Sequence, residues 1–346
     1  MTKVKKSKLP FVSIIVLNYN GKEHLGECFN SLRLLDYPKN KYEILMGDNG
    51  SYDNSTDYVK KEFPFVKVIK FNKNYGFAEG NNKSTEHTNR SSQYFIFLNN
   101  DTKVDKKWLI ELVRPSVENE EIVCSGSKTF HYTNQNVLDS AGNKITIIGG
   151  GFGIGRLKQD NKEYNKTKYS SVCGASLLIR KDIFEKLGGF DRDYFAYFED
   201  VDLCWRLFLL GYKAIYVPNS IVYHKAGGSF GNKRNSSLKL YLGQKNRMRN
   251  LIKNLEPNNL LRGIILSFCY DLFRILRFIP SLQIDNILAI LKGNYVFIRE
   301  ITNTLEKRKK IQKTRKIRDA QLYRLGIIAG FSESLKAELY LFRRGE

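Results

Sequence analysis

The sequence predicts an α/β fold built on a mainly parallel central sheet with helices on both faces, followed by a C-terminal helical region. Three observations carry this expectation. Short β-branched runs alternate with helical stretches over residues 11–94, the pattern of parallel strands joined by crossover helices. Polar residues gather just after each run, at the sheet edge where such folds bind ligands. Beyond Gly243 the composition shifts to apolar stretches interrupted by Arg and Lys.

Residues 12–17, 42–46, 66–71 and 94–98 read as buried strands, and 23–35, 55–63 and 78–88 as the amphipathic helices between them. Asn18-Tyr19-Asn20 follows the first strand, Asp48-Asn49-Gly50-Ser51 the second, 72–76 the third and Asn99-Asn100-Asp101 the fourth. A helix follows at 106–117; 129–169 is rich in Gly, Asn and Lys, and its run Gly149-Gly150-Gly151 suits a turn or a mobile loop equally. A strand-like run at 172–180 leads to Gly188-Gly189-Phe190-Asp191, then to a helix opened by Glu199, Asp200 and Asp202 with apolar Leu203, Leu207 and Leu210 behind them. The implied division is a catalytic domain at 1–243, with halves 11–102 and 103–243, and a helical, amphipathic and basic region at 244–346.

With 346 residues, 42% of them hydrophobic, the chain can bury a large core, which excludes a disordered protein. The net charge of +22 calls for an anionic partner: nucleic acid, an acidic membrane surface or a phosphorylated substrate. Cys28, Cys124, Cys173, Cys204 and Cys269 show no paired spacing, as in a reduced intracellular chain. The apolar run after the basic start is too short for a signal core, so no export is expected. In 260–279 an apolar stretch is broken by Arg262, Asp271, Arg274 and Arg277, which favours an interfacial amphipathic helix over a spanning one. Lys307 to Lys310, Lys313, Arg315, Lys316 and Arg318 add a cluster that anionic lipid would attract, although a charged helix packed on the catalytic domain with a solvated outer face fits the same residues.

Certain residues suit chemistry. An Asn-x-Asp pair leaving a strand, Asn99 and Asp101, can hold a hard divalent cation on oxygen, and a cation there can grip a diphosphate. The same residues also suit a turn and a helix cap. The aromatic run 194–198 beside Glu199 and Asp200 can desolvate a carboxylate and raise its pKa toward that of a useful base. His224, after a strand-like run and before Gly227-Gly228-Ser229, is a candidate ligand or a satisfied polar group.

Taken together, Val16-Leu17-Asn18-Tyr19-Asn20-Gly21, Asp48-Asn49-Gly50-Ser51-Tyr52-Asp53, Asn74-Tyr75-Gly76-Phe77-Ala78 with Asn81-Asn82, Leu98-Asn99-Asn100-Asp101-Thr102, Cys173-Gly174-Ala175, Gly188-Gly189-Phe190-Asp191 and Glu199-Asp200-Val201-Asp202-Leu203 resemble the family 2 inverting glycosyltransferases of GT-A type, near the rhamnosyltransferase group. The resemblance covers residues 11–229. It implies that Tyr19 lines or stacks on a nucleotide base and that Asp48 accepts from a pyrimidine N–H. Leu17, Asn18, Asn20, Asn49, Ser51, Asn74, Gly76, Phe77, Asn82 and Asn100 would line the donor pocket. Asn99, Asp101 and His224 would hold Mg²⁺ or Mn²⁺, with Asn99 a departure from the family's Asp. Asp200 would be the base, with Glu199 or Asp202 orienting it or binding acceptor, and Gly174, Ala175 and Trp205 would lie on the acceptor side. The implied donor is dTDP-rhamnose or a UDP-sugar, and the implied acceptor a lipid-linked glycan reached from the cytoplasmic face of the membrane. The positive charge then needs no nucleic acid.

Two rivals remain at this level. A sugar nucleotidyltransferase shares sheet, acids and metal, but would carry a Lys- or Arg-bearing phosphate loop where this chain has Asn-Tyr-Asn-Gly. An inactive relative docked on membrane or RNA accommodates the charge.

Overall fold

The computed structural model describes residues 9–225 and 236–343; the basic start at 1–8 and the Gly227-Gly228-Ser229 run lie outside the described residues. In chain order the elements begin with β1 (Val12–Asn18), α1 (Lys22–Arg33), β2 (Tyr42–Asp48), α2 (Ser55–Glu62), β3 (Val66–Lys70), α3 (Gly76–Thr85), β4 (Tyr94–Asn99), β5 (Thr102–Val104) and α4 (Trp108–Glu118). Next come β6 (Ile122–His131), β7 (Leu138–Ser140), β8 (Asn143–Thr146), β9 (Gly151–Gly153), β10 (Lys168–Tyr169), β11 (Ser176–Arg180), α5 (Lys181–Lys186), α6 (Glu199–Leu209) and β12 (Lys213–His224). The remainder is α7 (Ser236–Asn254), α8 (Pro257–Phe278), α9 (Ile284–Arg299), α10 (Ile301–Thr314), α11 (Asp319–Arg324), β13 (Ile328–Ala329) and α12 (Phe331–Arg343).

These elements form two compact units interleaved along the chain, 9–143 with 153–193 and 213–225, and 144–152 with 194–212 and 236–343. Two segments of the expected catalytic portion therefore pack with the C-terminal helices.

The first unit is organised by a ten-stranded sheet in the order β10-β12-β6-β11-β4-β1-β2-β3, with β5 on β12 and β7 on β6. Strands β1 to β4 are parallel to one another, as their crossover helices require. Past β4 the sheet is mixed: β11 lies antiparallel between β4 and β6, and β12 is parallel to β6. The apolar run of β11 fits a central position in either direction, so its orientation is set by the connections rather than by its residues. Helix α1 buries Leu25, Cys28, Phe29 and Leu32, spaced along one face, against Ile14, Val16, Ile44 and Met46. Truncating Phe29 to Ala would cost about 3–5 kcal/mol. Strand β6 has no counterpart in the sequence-based expectation, because Ser125, Gly126, Ser127, Lys128 and Thr129 interrupt its apolar run. The polarity is satisfied internally, with Ser125 Oγ donating to the Leu112 carbonyl at 2.7 Å and the Trp108 indole donating to Ser127 Oγ at 2.9 Å.

In the second unit α7 is polar yet buried, with Gln244, Asn246, Arg247, Asn250, Lys253 and Asn254 all enclosed. Gln244 Nε2 donates to Asp271 Oδ2 and to Asn294 Oδ1, both at 2.7 Å, and Arg247 pairs with Asp271 at 2.7 Å. A polar core of this kind holds only when its members are mutually bonded. Gly149, at φ +90°, turns β8 into β9 where a Cβ would stand 2.1 Å from the Arg247 carbonyl oxygen. Of the two readings of the glycine run, the structure therefore takes the turn, closed against the α7 backbone. Arg308 and Arg315, members of the basic cluster, bond the Leu255 and Asn254 carbonyls at 2.7 and 2.9 Å at the end of α7, whereas Lys309, Lys310, Lys313, Lys316 and Arg318 are exposed.

Candidate functional site

The register of the sheet brings the strand-end residues together. Asn18 stands opposite Asp48 across β1 and β2, and Leu17 opposite Asn99 across β1 and β4. Asp48 is fully buried; its Oδ2 accepts from the Ser51 N–H at 3.2 Å and its Oδ1 from Asn18 Nδ2 at 3.4 Å. Asn100 Nδ2 donates to Asn18 Oδ1 at 2.8 Å, and Ser51 Oγ accepts from the Asn20 N–H at 2.9 Å, which ties the first, second and fourth strand ends into one network. Tyr19 stands half-buried beside this network, edge-on to Tyr52 with ring centroids 6.4 Å apart.

The loops after β2 and β3 are pinned together. Asn49 Nδ2 donates to Asn74 Oδ1 at 2.9 Å and to the Gly76 carbonyl at 3.0 Å, and its Oδ1 accepts from the Tyr75 N–H at 3.0 Å. Gly50, at φ +79°, leaves only 2.8 Å between a would-be Cβ and the Lys73 carbonyl carbon, so a side chain there would push the loops apart. Asn82 is engaged at both ends of its amide by the Phe190 backbone, at 2.8 and 2.9 Å, and Phe77 packs on the Phe190 ring. Asn82 thus fixes the Gly189-Phe190 turn, which is how it shapes its surroundings.

A second cluster lies where β4 and β12 end. His224 Nε2 is 3.3 Å from Asp101 Oδ1 and 3.3 Å from Asn99 Nδ2, while its Nδ1 is 2.9 Å from Asp139 Oδ2. Asp139 is paired in turn with Arg156 at 2.8 Å. Burial alone would raise the Asp139 carboxyl, but His224 and Arg156 bring it down to about 2. Burial would likewise lower His224, and Asp101 with Asp139 overrides it, holding the imidazole protonated to about 10. Ala175 is buried and its carbonyl accepts from the Asn99 N–H at 3.1 Å, so it supports the metal candidate; Gly174 is half-buried.

This set fits a divalent cation. Nε2 of His224 and a carboxylate oxygen of Asp101 converge, and the carboxylate on Nδ1 fixes the ring as it does in many metal sites. Among the described residues no three His, Cys, Asp or Glu side chains form a cation-holding group. Two strong donors, supplemented by phosphate oxygens, is the manner in which Mg²⁺ is held with nucleotide substrates. Metal binding would displace the His224 proton.

In the second unit α6 opens on a strained turn. Tyr197 and Phe198 have φ of 73° and 66°, uncommon for aromatic residues. Asn246 donates to the Ala196 and Tyr197 carbonyls at 2.9 and 2.8 Å, and Asn250 bonds the Phe198 carbonyl at 3.3 Å. Asp200 is half-buried at the helix start, and its Oδ1 accepts from the Val201 N–H at 2.7 Å. Glu199 is buried, and that burial, with Asp200 and Asp202 nearby, pushes its carboxyl up to about 8. Asp202 is fully enclosed between Arg206 and Lys253, each at 2.7 Å, an ion-pair knot that faces inward rather than toward a ligand. Trp205, a candidate for the acceptor side or for core packing, is 0% exposed on the inner face of α6.

Sequence reasoning missed Asp139, Arg156, Asn246 and Asn250. Asp139 and Arg156 lie in the stretch without readable periodicity. Asn246, Asn250 and Asn254 do leave a signal, an asparagine stripe at i, i+4 on one helix.

The family model described as Glycosyl transferase family 2 matches residues 13–188, just over half of the chain, and Glycosyl transferase family group 2 matches 160–296. The chain belongs to glycosyltransferase family 2. Among its relatives, glycosyltransferase AglE of Haloferax volcanii is 25% identical over 64% of this chain and 68% of its own length. Rhamnosyltransferase WbbL of Escherichia coli K12 is 28% identical over 62% of this chain and 83% of its own. The N-acetylglucosaminyl-diphospho-decaprenol L-rhamnosyltransferase of Mycobacterium tuberculosis is 24% identical over 63% and 77%. The mannosyltransferase PcManGT of Pyrobaculum calidifontis, solved with GDP-Man and Mn²⁺, superposes with a TM-score of 0.53 at 15% identity over 86% of this chain and 77% of its own. This family 2 chain is accordingly a glycosyltransferase of GT-A-like fold.

Proposed function

We propose that this glycosyltransferase moves a sugar, with inversion, from a nucleotide diphosphate donor to a hydroxyl of a lipid-linked glycan acceptor in cell-envelope polysaccharide synthesis. The observation that carries the reading is the convergence of Asp101 and His224 beside the Asn18–Asp48–Asn100 network at one sheet edge. In this reading Tyr19 and Asp48 receive the nucleotide base, and Asn49, Ser51 and Asn74 hold the loops around the donor. A divalent cation on Asp101 and His224 would offset the charge that grows on the departing diphosphate. Asp200 takes the proton of the acceptor hydroxyl as that oxygen forms its bond to the anomeric carbon and the bond to the nucleotide diphosphate breaks. Glu199, protonated near neutrality, places no second full charge beside Asp200, so the base keeps a carboxylate without like-charge repulsion. The rhamnosyltransferase relatives favour dTDP-rhamnose, with UDP-sugars next, and the decaprenol-linked acceptor named for one relative favours a lipid-linked acceptor here.

The test is turnover of dTDP-, UDP- and GDP-sugars by the purified protein with Mn²⁺, Mg²⁺ or chelator, in wild type and Asp200→Asn. Release of one nucleotide diphosphate, lost in the variant and in chelator, supports the reading. No binding of any donor overturns it.

A further inference from the structure

The pair α8 and α9 is built inside out. On the side facing the unit, Ser267 and Asp271 of α8 and Asn294 of α9 bond Gln244 and Arg247 of α7. On the other side apolar side chains stand in solvent. Fourteen of the twenty-one exposed large apolar residues among the described residues lie between Leu261 and Ile298. Leu261, Phe268 and Leu276 recur at helical spacing on α8, Leu282 is 79% exposed at the tip between the helices, and Tyr295 and Ile298 carry the surface along α9. Water-soluble monomers rarely leave so continuous a surface uncovered.

Charge identifies the occupant. Residues 257–314 hold ten Lys and Arg against four Asp and Glu, and Arg262, Lys292 and Arg299 are exposed on the same helices. A second copy would bring these cations against their equivalents, at a cost; anionic headgroups would neutralise them. No helix among the described residues is long and apolar enough to cross a membrane.

We infer that α8–α9 is a monotopic docking surface for an anionic lipid bilayer, with the apolar stripe and the Leu282 tip sunk below headgroups that the flanking cations contact. Its purpose rests on the proposed function, because a bilayer is where a lipid-linked acceptor resides.

The experiment is flotation of the full chain with phosphatidylcholine vesicles, with and without phosphatidylglycerol, for wild type, Phe268→Asp with Leu276→Asp, and Leu282→Asp. Nucleotide-sugar binding is measured on each protein as a check of folding. Wild type is expected to float with the anionic vesicles, and each apolar contact removed to weaken partitioning about tenfold, with nucleotide-sugar binding unchanged. Absence of wild-type flotation, flotation unaffected by the substitutions, or equal flotation with neutral vesicles would overturn the inference, as would a dimer abolished by the same substitutions in a protein that does not float. Flotation that persists in a protein binding no nucleotide sugar would count against the transferase reading alone.

Discussion

Asp139 Oδ2 lies 2.9 Å from His224 Nδ1, and this contact decides which ring nitrogen faces Asp101. A carboxylate in that position both orients the imidazole and strengthens its far nitrogen as a ligand. Asp139→Asn keeps the shape and removes the charge. Mn²⁺ affinity, read by electron paramagnetic resonance in the presence of nucleotide diphosphate, is expected to fall about 10- to 100-fold; unchanged affinity would show that His224 does not ligate.

Asp200 and Asp202 stand two residues apart on α6 and are expected to fail in opposite ways. Asp200→Asn should lower kcat about 10²- to 10⁴-fold with nucleotide-sugar binding and melting temperature intact, as loss of a general base does. Asp202→Asn leaves Arg206 and Lys253 buried without their counter-charge, which costs about 3–5 kcal/mol. Urea denaturation paired with kinetics checks both, and the assignment fails if the two phenotypes are exchanged.

How much of this was legible in the sequence follows from where the chain obeys a period. The first four strands and their helices read correctly because each strand is an apolar run closed by polar residues and each helix has a narrow apolar face. Strand β6 escaped because its buried serines find partners elsewhere in the fold, Ser125 on the Leu112 carbonyl and Ser127 on Trp108, Ser176 and Ser220, so burial did not require apolar residues. The polar strand ends were visible as candidates, yet their register, which sets Asn18 against Asp48, is a property of the assembled sheet. Asp139 reaches His224 from the three-residue strand β7, too short to show a period, and no local pattern could have paired them. The α8 segment was recognised as amphipathic, but its polar side faces inward onto α7, a reversal that depends on the buried Gln244 and Arg247 of another helix.

Glu199 gives the chain a pH signature. Its carboxyl ionises at about 8 when folded and at 4.5 ordinarily, so the folded state binds the extra proton between those values. The corresponding stability is fully present below about pH 4.5 and is lost as pH rises through 8. Glu199→Gln, which is neutral throughout, should therefore melt increasingly above wild type as pH goes from 4.5 to 8 and hold a constant lead beyond. A lead that does not vary with pH would mean that Glu199 is already ionised at neutrality.

The turn that presents Asp200 is held open by side chains of α7. Asn246 bonds two successive carbonyls of Ala196 and Tyr197, and Asn250 reaches Phe198, where the backbone sits at positive φ. Relaxing that strain is worth about 1–3 kcal/mol to the turn, so the clamp must supply at least as much. Asn246→Ala removes the donors and leaves buried carbonyls unmet, a loss of about 1–3 kcal/mol in stability. If Asp200 is the base, as proposed, Asn246 would act through its position, and kcat should fall while KM for the donor stays within about twofold of wild type. Recovery of kcat by Asn246→Gln, which keeps the amide donors, would support the clamp, whereas a rise in KM alone would place the residue outside the positioning of the base.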